Sequence, residues 1–281
     1  MPSTARPIVF LSDFGLSNEW VGISHAVLAR IAPQSRVVDL SHLIPPLDVL
    51  NGALLLADSL SYLPGDAVVL AVVEPNVGKD RNVAVETGDG RVLVGPDNGL
   101  LAPALATLGG AKKAVEITSA DVIVEPVSAS FQARDILCPA AAHVAAGMAL
   151  DRLGNEIDPD TLTGLDLPEP ETERGKIRCE VVEFNRFGNV KLNVREAHLL
   201  AAGIAESTDL AVEAVSGSTR ARRGSTYADF APGEYGVIFD PRGWLTVIRG
   251  NPASALEGLG LAVGDHVWIS GPPSHGEVAT H

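Results

Sequence analysis

The apolar run Ala67-Val68-Val69-Leu70-Ala71-Val72-Val73 constrains this chain more than any other stretch. Its unbroken Val, Leu and Ala content predicts a strand covered on both faces, as in a parallel sheet, because a half-exposed strand would alternate with polar residues. The run stops at Glu74. Pro75, Asn76 and Gly78 then turn the chain tightly toward Arg81, which places Glu74 at the carboxyl end of a strand. That edge is where open α/β sheets bind ligands. On spacing alone, the plain alternative is a solvated strand-end acid with a local ion pair to Arg81.

The flanking sequence extends the same pattern. Pro7 to Leu11 reads as a first buried strand ending near Asp13 and Gly15, and Glu19 to Ile31 has apolar residues at helical spacing. Val37 to Leu40 is a second strand, Val49 to Leu60 a helix, and Val83 to Glu86 with Arg91 to Gly95 a strand pair around Gly88-Asp89-Gly90. A turn at Pro96-Asp97-Asn98-Gly99 precedes a helix from Leu101 to Leu108, with Asp97 and Asn98 read most simply as turn residues. A strand near Ala114 to Ile117 and an Ala-rich helix through Met148 complete the set. Alternating strands and helices predict an α/β domain over residues 1–165 with a mainly parallel sheet and flanking helices.

Beyond that the pattern changes. Residues 166–175 are acidic and Pro-bearing and read as a linker. Ile177 to Phe184, Asp209 to Ala214, Tyr235 to Phe239, Leu245 to Ile248 and His266 to Ser270 are short strands between Gly, Pro and Asp turns. They predict a smaller all-β domain over 176–272, a barrel or a sandwich, followed by a flexible tail over 273–281.

Composition narrows the partners. Lys and Arg number 21 against 35 Asp and Glu, a net charge of −14, which disfavours nucleic acid and anionic membranes and tolerates a cationic small ligand. The two cysteines, Cys138 and Cys179, form neither a disulfide framework nor a metal-ligand spacing. A reducing cytoplasm is the expected location, and the short apolar run near the amino terminus suits neither a signal segment nor a membrane span.

Six motifs in order carry a family resemblance: Leu11-Ser12-Asp13-Phe14-Gly15, Glu74-Pro75-Asn76-Val77-Gly78 to Arg81, Pro96-Asp97-Asn98-Gly99-Leu100-Leu101, Phe131-Gln132-Ala133-Arg134-Asp135, Arg186-Phe187-Gly188-Asn189 and Arg242-Gly243-Trp244. Together they resemble the S-adenosylmethionine (SAM) hydroxide adenosyltransferases, hydrolases related to fluorinase and chlorinase. The resemblance implies an α/β domain followed by a β-barrel, a homotrimer with SAM bound between neighbouring subunits, and attack of water or hydroxide on the ribose 5′ carbon to give adenosine and methionine. It implies no metal or redox cofactor, because the sulfonium is already a good leaving group and the enzyme needs chiefly to align the nucleophile and exclude bulk water.

By the same resemblance, Asp13 binds the ribose hydroxyls, where one carboxylate accepts from two neighbours. Phe187 and Tyr227 enclose the adenine, and Asn189 meets its edge. Arg242 meets the methionine carboxylate, and the Arg249 to Ala253 loop, including Asn251, contacts adenine through its backbone. The departures fall at the nucleophile. The family's Asp, Arg and His around the water correspond here to Glu74, Arg81 and Gln132. Gln132 can orient a water but cannot titrate, so Glu74 carries any base role, with Arg81 expected to hold it ionised. Asn185 stands where the family commonly has an acid, toward the methionine ammonium. Two other readings stay open: a SAM- or adenosine-binding protein whose triad has decayed, and a SAM-dependent chlorinase. An anionic Glu74 disfavours the second, because it would repel a desolvated halide.

Overall fold

A computed structural model describes residues 5–251 and 253–272. It divides into two compact units between Asp166 and Leu167, and the tail read as flexible lies outside the described residues. No helix among the described residues is long and apolar enough to cross a membrane.

The first unit contains β1 (Ile8–Ser12), α1 (Trp20–Ile31), β2 (Val37–Ser41), α2 (Val49–Ser59), β3 (Val68–Val72), β4 (Asn82–Thr87), β5 (Val92–Pro96), α3 (Ala102–Thr107), β6 (Ala111–Ile117), α4 (Cys138–Ala145) and β7 (Gly154–Ile157). One sheet runs in the order β2-β1-β3-β5-β4-β6-β7. The apolar run is β3, fully buried and flanked by β1 and β5, both parallel to it. Its composition is explained by two cores. Val68, Leu70 and Val72 pack on one face with Leu28 of α1 and Ala140, Ala141 and Val144 of α4. Val69, Ala71 and Val73 pack on the other with Ala53 and Leu56 of α2 and Ala104 and Leu105 of α3. Burying each such Val or Leu stabilises by about 1.5–3 kcal/mol, so a polar residue at either parity would be costly. The parallel arrangement holds for β2-β1-β3-β5. At β4 the sheet becomes mixed, because the tight turn at Gly90 (φ 92°) returns the chain antiparallel to β5, and β6 and β7 continue antiparallel.

The second unit contains β8 (Glu171–Glu173), β9 (Lys176–Phe184), β10 (Val190–Leu192), α5 (Glu196–Ala201), β11 (Asp209–Ala214), β12 (Gly217–Arg223), β13 (Tyr235–Phe239), β14 (Leu245–Arg249), α6 (Ala255–Leu259) and β15 (His266–Ser270). Pairing runs β10-β14-β13-β12-β11-β15-β9 and returns from β9 to β10, which closes a seven-stranded barrel. Closure settles barrel over sandwich. The long strand β9 makes it possible, pairing with β15 through Lys176 to Glu180 and with β10 through Val181 to Phe184, while β8 adds to it at Lys176 to Arg178. The acidic stretch read as a linker therefore contains a strand, β8. Inward residues such as Ile177, Val181, Val212, Val247 and Ile269 fill the barrel.

Candidate active site

In the first unit, Asp13, Glu74 and Gln132 all line one cleft of about 880 Å³, together with Phe14, Trp20, His42, Leu47 and Phe131. Three elements bring them there. Asp13 follows β1, Glu74 follows the end of β3, and Gln132 precedes a π-helical turn, Ala133–Leu137, that leads into α4. The two parallel strands β1 and β3 end side by side in register, Ser12 against Val72, so their terminal acids share one edge.

Glu74 is only 7% exposed, and its Oε1 atom is buried without a hydrogen-bond partner. Burial pushes its pKa up, the neighbouring Asp80 and Asp13 carboxylates push the same way, and the Gly78 N–H opposes them. Gly78 sits at φ 81°, a left-handed conformation the turn after Glu74 requires and a side chain would strain. Asn98 donates from Nδ2 to the Val73 carbonyl at 2.9 Å and so tethers the strand end that carries Glu74. This turn residue is a structural tie.

Arg81 does not hold Glu74 ionised. Its Nε and Nη2 donate to Asp97 at 3.0 and 2.5 Å, and Nη2 also donates to the Thr161 carbonyl at 2.9 Å. A planar guanidinium bound this way to the buried Asp97 carboxylate has its fork committed, and Arg81 stays outside the cleft lining. The expected charge support is replaced by its opposite, a buried acid beside other acids.

Gln132 is held by a residue that sequence reading missed. Asn82 Nδ2 donates to Gln132 Oε1 at 2.9 Å, which leaves the Gln132 amide N–H groups as donors. Asn82 opens β4, and only its polarity at a strand start hinted at a role. Asp13 Oδ2 accepts from the Leu47 N–H at 2.9 Å. Leu47 holds φ 67°, an uncommon non-glycine conformation, at the cleft wall. Asp13 is not a helix-initiating acid, since α1 begins at Trp20 after Glu19. Phe14, Trp20 and Phe131 meet edge to face or tilted, with centroids 5.8–6.3 Å apart, giving the cleft an aromatic side.

In the second unit, Asn185, Asn189, Tyr227 and Arg242 line a separate pocket of about 340 Å³. Asn185 Oδ1 accepts from the Phe187 and Asn189 N–H groups at 3.0 and 3.2 Å, shaping the loop. Arg242 is no exposed hairpin residue. Its Nη2 donates to Glu183 Oε2 at 2.9 Å, and the same oxygen receives Lys191 Nζ at 2.6 Å. Lys191 also lies 3.3 Å from Asp240. Burial raises the pKa of Glu183 against the Arg242 charge and that of Asp240 against several N–H donors. Glu183, Lys191 and Asp240 were not visible from sequence, because their charges sit in strands and turns with no motif. Phe187 is 71% exposed and lies outside the pocket lining, as does the exposed Asn251, while Tyr227 is at the rim with 53% exposed. Both aromatics are too exposed to be barrel core. The two thiols, Cys138 and Cys179, are free and buried, and burial pushes both up to about 12, so neither is a nucleophile.

An α/β sheet edge bearing an unpaired acid in an aromatic cleft, and a barrel holding a charge-paired pocket, define a small-molecule enzyme of α/β plus β-barrel architecture. Residues 8–154 match the SAM hydroxide adenosyltransferase N-terminal domain, and residues 179–268 match the C-terminal domain of the same family. The chain belongs to that family. It is similar to an (R)-S-adenosyl-L-methionine hydrolase from Salinispora tropica, 42% identical over 270 residues covering 94% of this chain and 97% of the relative. It is also similar to a fluorinase from Nocardia brasiliensis, 26% identical over 94% of this chain and 97% of the relative. Among solved structures, an uncharacterized conserved protein from Thermotoga maritima superposes with TM-score 0.84 at 29% identity, covering 94% of this chain and 99% of that one.

Proposed function

We propose that this enzyme hydrolyses SAM to adenosine and L-methionine by attack of water on the ribose 5′ carbon. The observation that carries the reading is Glu74, an almost fully buried carboxyl at the cleft wall with one oxygen left without a partner. Asp13 binds the ribose hydroxyls. Glu74 Oε1 accepts one O–H of the water, and a Gln132 N–H donates to its oxygen, leaving a lone pair for the 5′ carbon. As the C–O bond forms, the C–S bond breaks, its electron pair returns to sulfur, methionine leaves as a neutral thioether, and the water's proton passes to Glu74. The substrate itself sets the ionisation of the base: a sulfonium beside Glu74 favours the carboxylate that Asp80 and Asp13 disfavour in the free enzyme. The attack requires no metal or redox group.

On this reading Asn185, Asn189, Tyr227 and Arg242 bind the adenine and methionine portions, with Phe187 and Asn251 at the adenine. The active form is a homotrimer whose sites lie between subunits. Support comes from Phe187 and Tyr227, large aromatics whose exposure suits burial against a neighbouring chain and its ligand. Light scattering tests the trimer, and a monomeric mass in an active preparation rejects it. We place the protein in the cytoplasm, where its two free buried thiols suit a reducing medium.

Product analysis tests the reaction. Purified protein is incubated with SAM in chloride-free and chloride-containing buffers, and nucleosides are separated by chromatography. Adenosine with methionine in both buffers is the expected result. A 5′-chloronucleoside would establish the chlorinase reading, and saturable SAM binding without product would establish a decayed enzyme.

A further inference from the structure

His25 on α1, Asp39 on β2 and His42 just after β2 converge at one edge of the first unit's sheet. Asp39 Oδ1 lies 2.8 Å from His25 Nε2 and 3.1 Å from His42 Nε2, and one donor atom from each of the three residues falls within 4.8 Å of the others. We propose that these three side chains form a binding site for a zinc-class divalent ion, independent of the attack on SAM.

The donor set fits in number, type and spacing. Two imidazole nitrogens and a carboxylate oxygen with a fourth position open to water are a recurrent zinc arrangement, with bonds of about 2.0–2.2 Å. Tetrahedral ligands at that distance stand roughly 3.3 Å apart, so the two measured separations need to open by only a few tenths of an ångström. The surroundings hold His42 ready. Its Nδ1 is 2.7 Å from the buried Ser12 hydroxyl, and its ring meets Phe10 edge to face with centroids 4.6 Å apart. A partner on the far ring nitrogen is how proteins aim a ligating imidazole. His42 is 4% exposed, yet its Nε2, 3.1 Å from Asp39 Oδ1, makes no well-aligned hydrogen bond. A buried nitrogen in that state is short of a partner, and a metal ion would supply one. His25 and Asp39 keep part of their surface in solvent, which provides an entry path.

The position gives the ion a consequence. The Gly15 N–H donates to the His42 carbonyl at 2.7 Å, and His42 lines the same cleft as Asp13. An ion bridging α1 to the end of β2 would clip together the helix, the edge strand and the loop that packs on the Asp13 turn.

The test uses the full chain stripped with a chelator and titrated calorimetrically with zinc chloride. The expected result is one equivalent bound at micromolar affinity or tighter, on the order of −8 kcal/mol or more, with a raised melting temperature. His25→Ala, at a part-exposed helix position and with its fold checked by circular dichroism, should weaken zinc at least about tenfold, and Ser12→Ala should do so by about tenfold through His42. Cobalt substituted for zinc should give the intense visible bands of a low-symmetry, four-coordinate site in the wild type and lose them in His25→Ala. No binding at millimolar zinc, or equal binding by wild type and His25→Ala as would follow from sites such as His275 and His281, overturns the proposal.

Discussion

The cleft of the first unit and the pocket of the second are both lined by buried carboxyls, but they treat them in opposite ways. Around Glu183 and Asp240 every acid faces a cation: Lys191 and Arg242 converge on Glu183, and Lys191 reaches Asp240 as well. Around Glu74 no cation arrives. Arg81, which closes the same loop, is bound to Asp97, and buried oxygens of Glu74, Asp80 and Asn82 are left without partners. Within the same unit Asp135 shows the ordinary solution. Burial disfavours its charge, but Arg134 and the Ser128 N–H outweigh burial and hold its pKa down. The difference separates a pocket whose charges are balanced before any ligand arrives from a cleft that keeps an acid unsatisfied. Unsatisfied groups cost stability and persist where a ligand or reaction uses them.

This comparison can be broken at four points. The largest effect is expected at Lys191→Met, which removes the side-chain ammonium that reaches both Glu183 and Asp240. Urea denaturation should show a loss of about 3 kcal/mol, and a loss below about 1 kcal/mol would mean that the second pocket is not held by charge pairing. Next, Glu74→Gln should reduce turnover roughly 100-fold, with a smaller loss of SAM affinity by calorimetry because the sulfonium loses a neighbouring carboxylate. Equal turnover would remove Glu74 from the chemistry. Asp13→Ala should weaken SAM binding by about 10- to 50-fold, the loss of hydrogen bonds to a charged acceptor, and unchanged affinity would sink the ribose assignment.

The smallest effect carries the sharpest sign. Because the pKa of Glu74 is raised on folding, the folded protein holds that proton more tightly than the unfolded chain. The stabilisation is fully present below the unfolded pKa and is lost as pH rises through the folded one. Glu74→Gln should therefore raise the melting temperature by roughly a few degrees near neutral pH, with the gain vanishing at acid pH. A variant less stable than wild type at neutral pH would mean that the carboxylate is satisfied after all.

Much of the fold was legible because burial writes itself into composition. β3 could be read from seven apolar residues in a row, β1 from a shorter buried run, and α1 from helical spacing. Strand β12 could not, since Gly217 to Arg223 carries a single buried side chain, Ala221, and no alternation. It is held by its neighbours β11 and β13. Strand β8 was hidden for the same reason within an acidic, Pro-bearing stretch. At the site, the strand-end logic located Glu74 and Asp13 correctly on one edge. It misassigned Arg81, because seven residues of loop can present a guanidinium to either of two acids and only the fold determines that Asp97 receives it. Asn82 holding Gln132, and His25 meeting Asp39 and His42, depend on pairings between elements distant in sequence, which no spacing rule anticipates.

The central claim is that a water molecule in this cleft attacks the ribose 5′ carbon. It is tested most directly by turning SAM over in water enriched in heavy oxygen and weighing both products by mass spectrometry. The account predicts one heavy oxygen in the 5′ hydroxyl of adenosine and none in methionine. Adenosine without the label, or the label in a product cleaved on the methionine side of the sulfur, would contradict it.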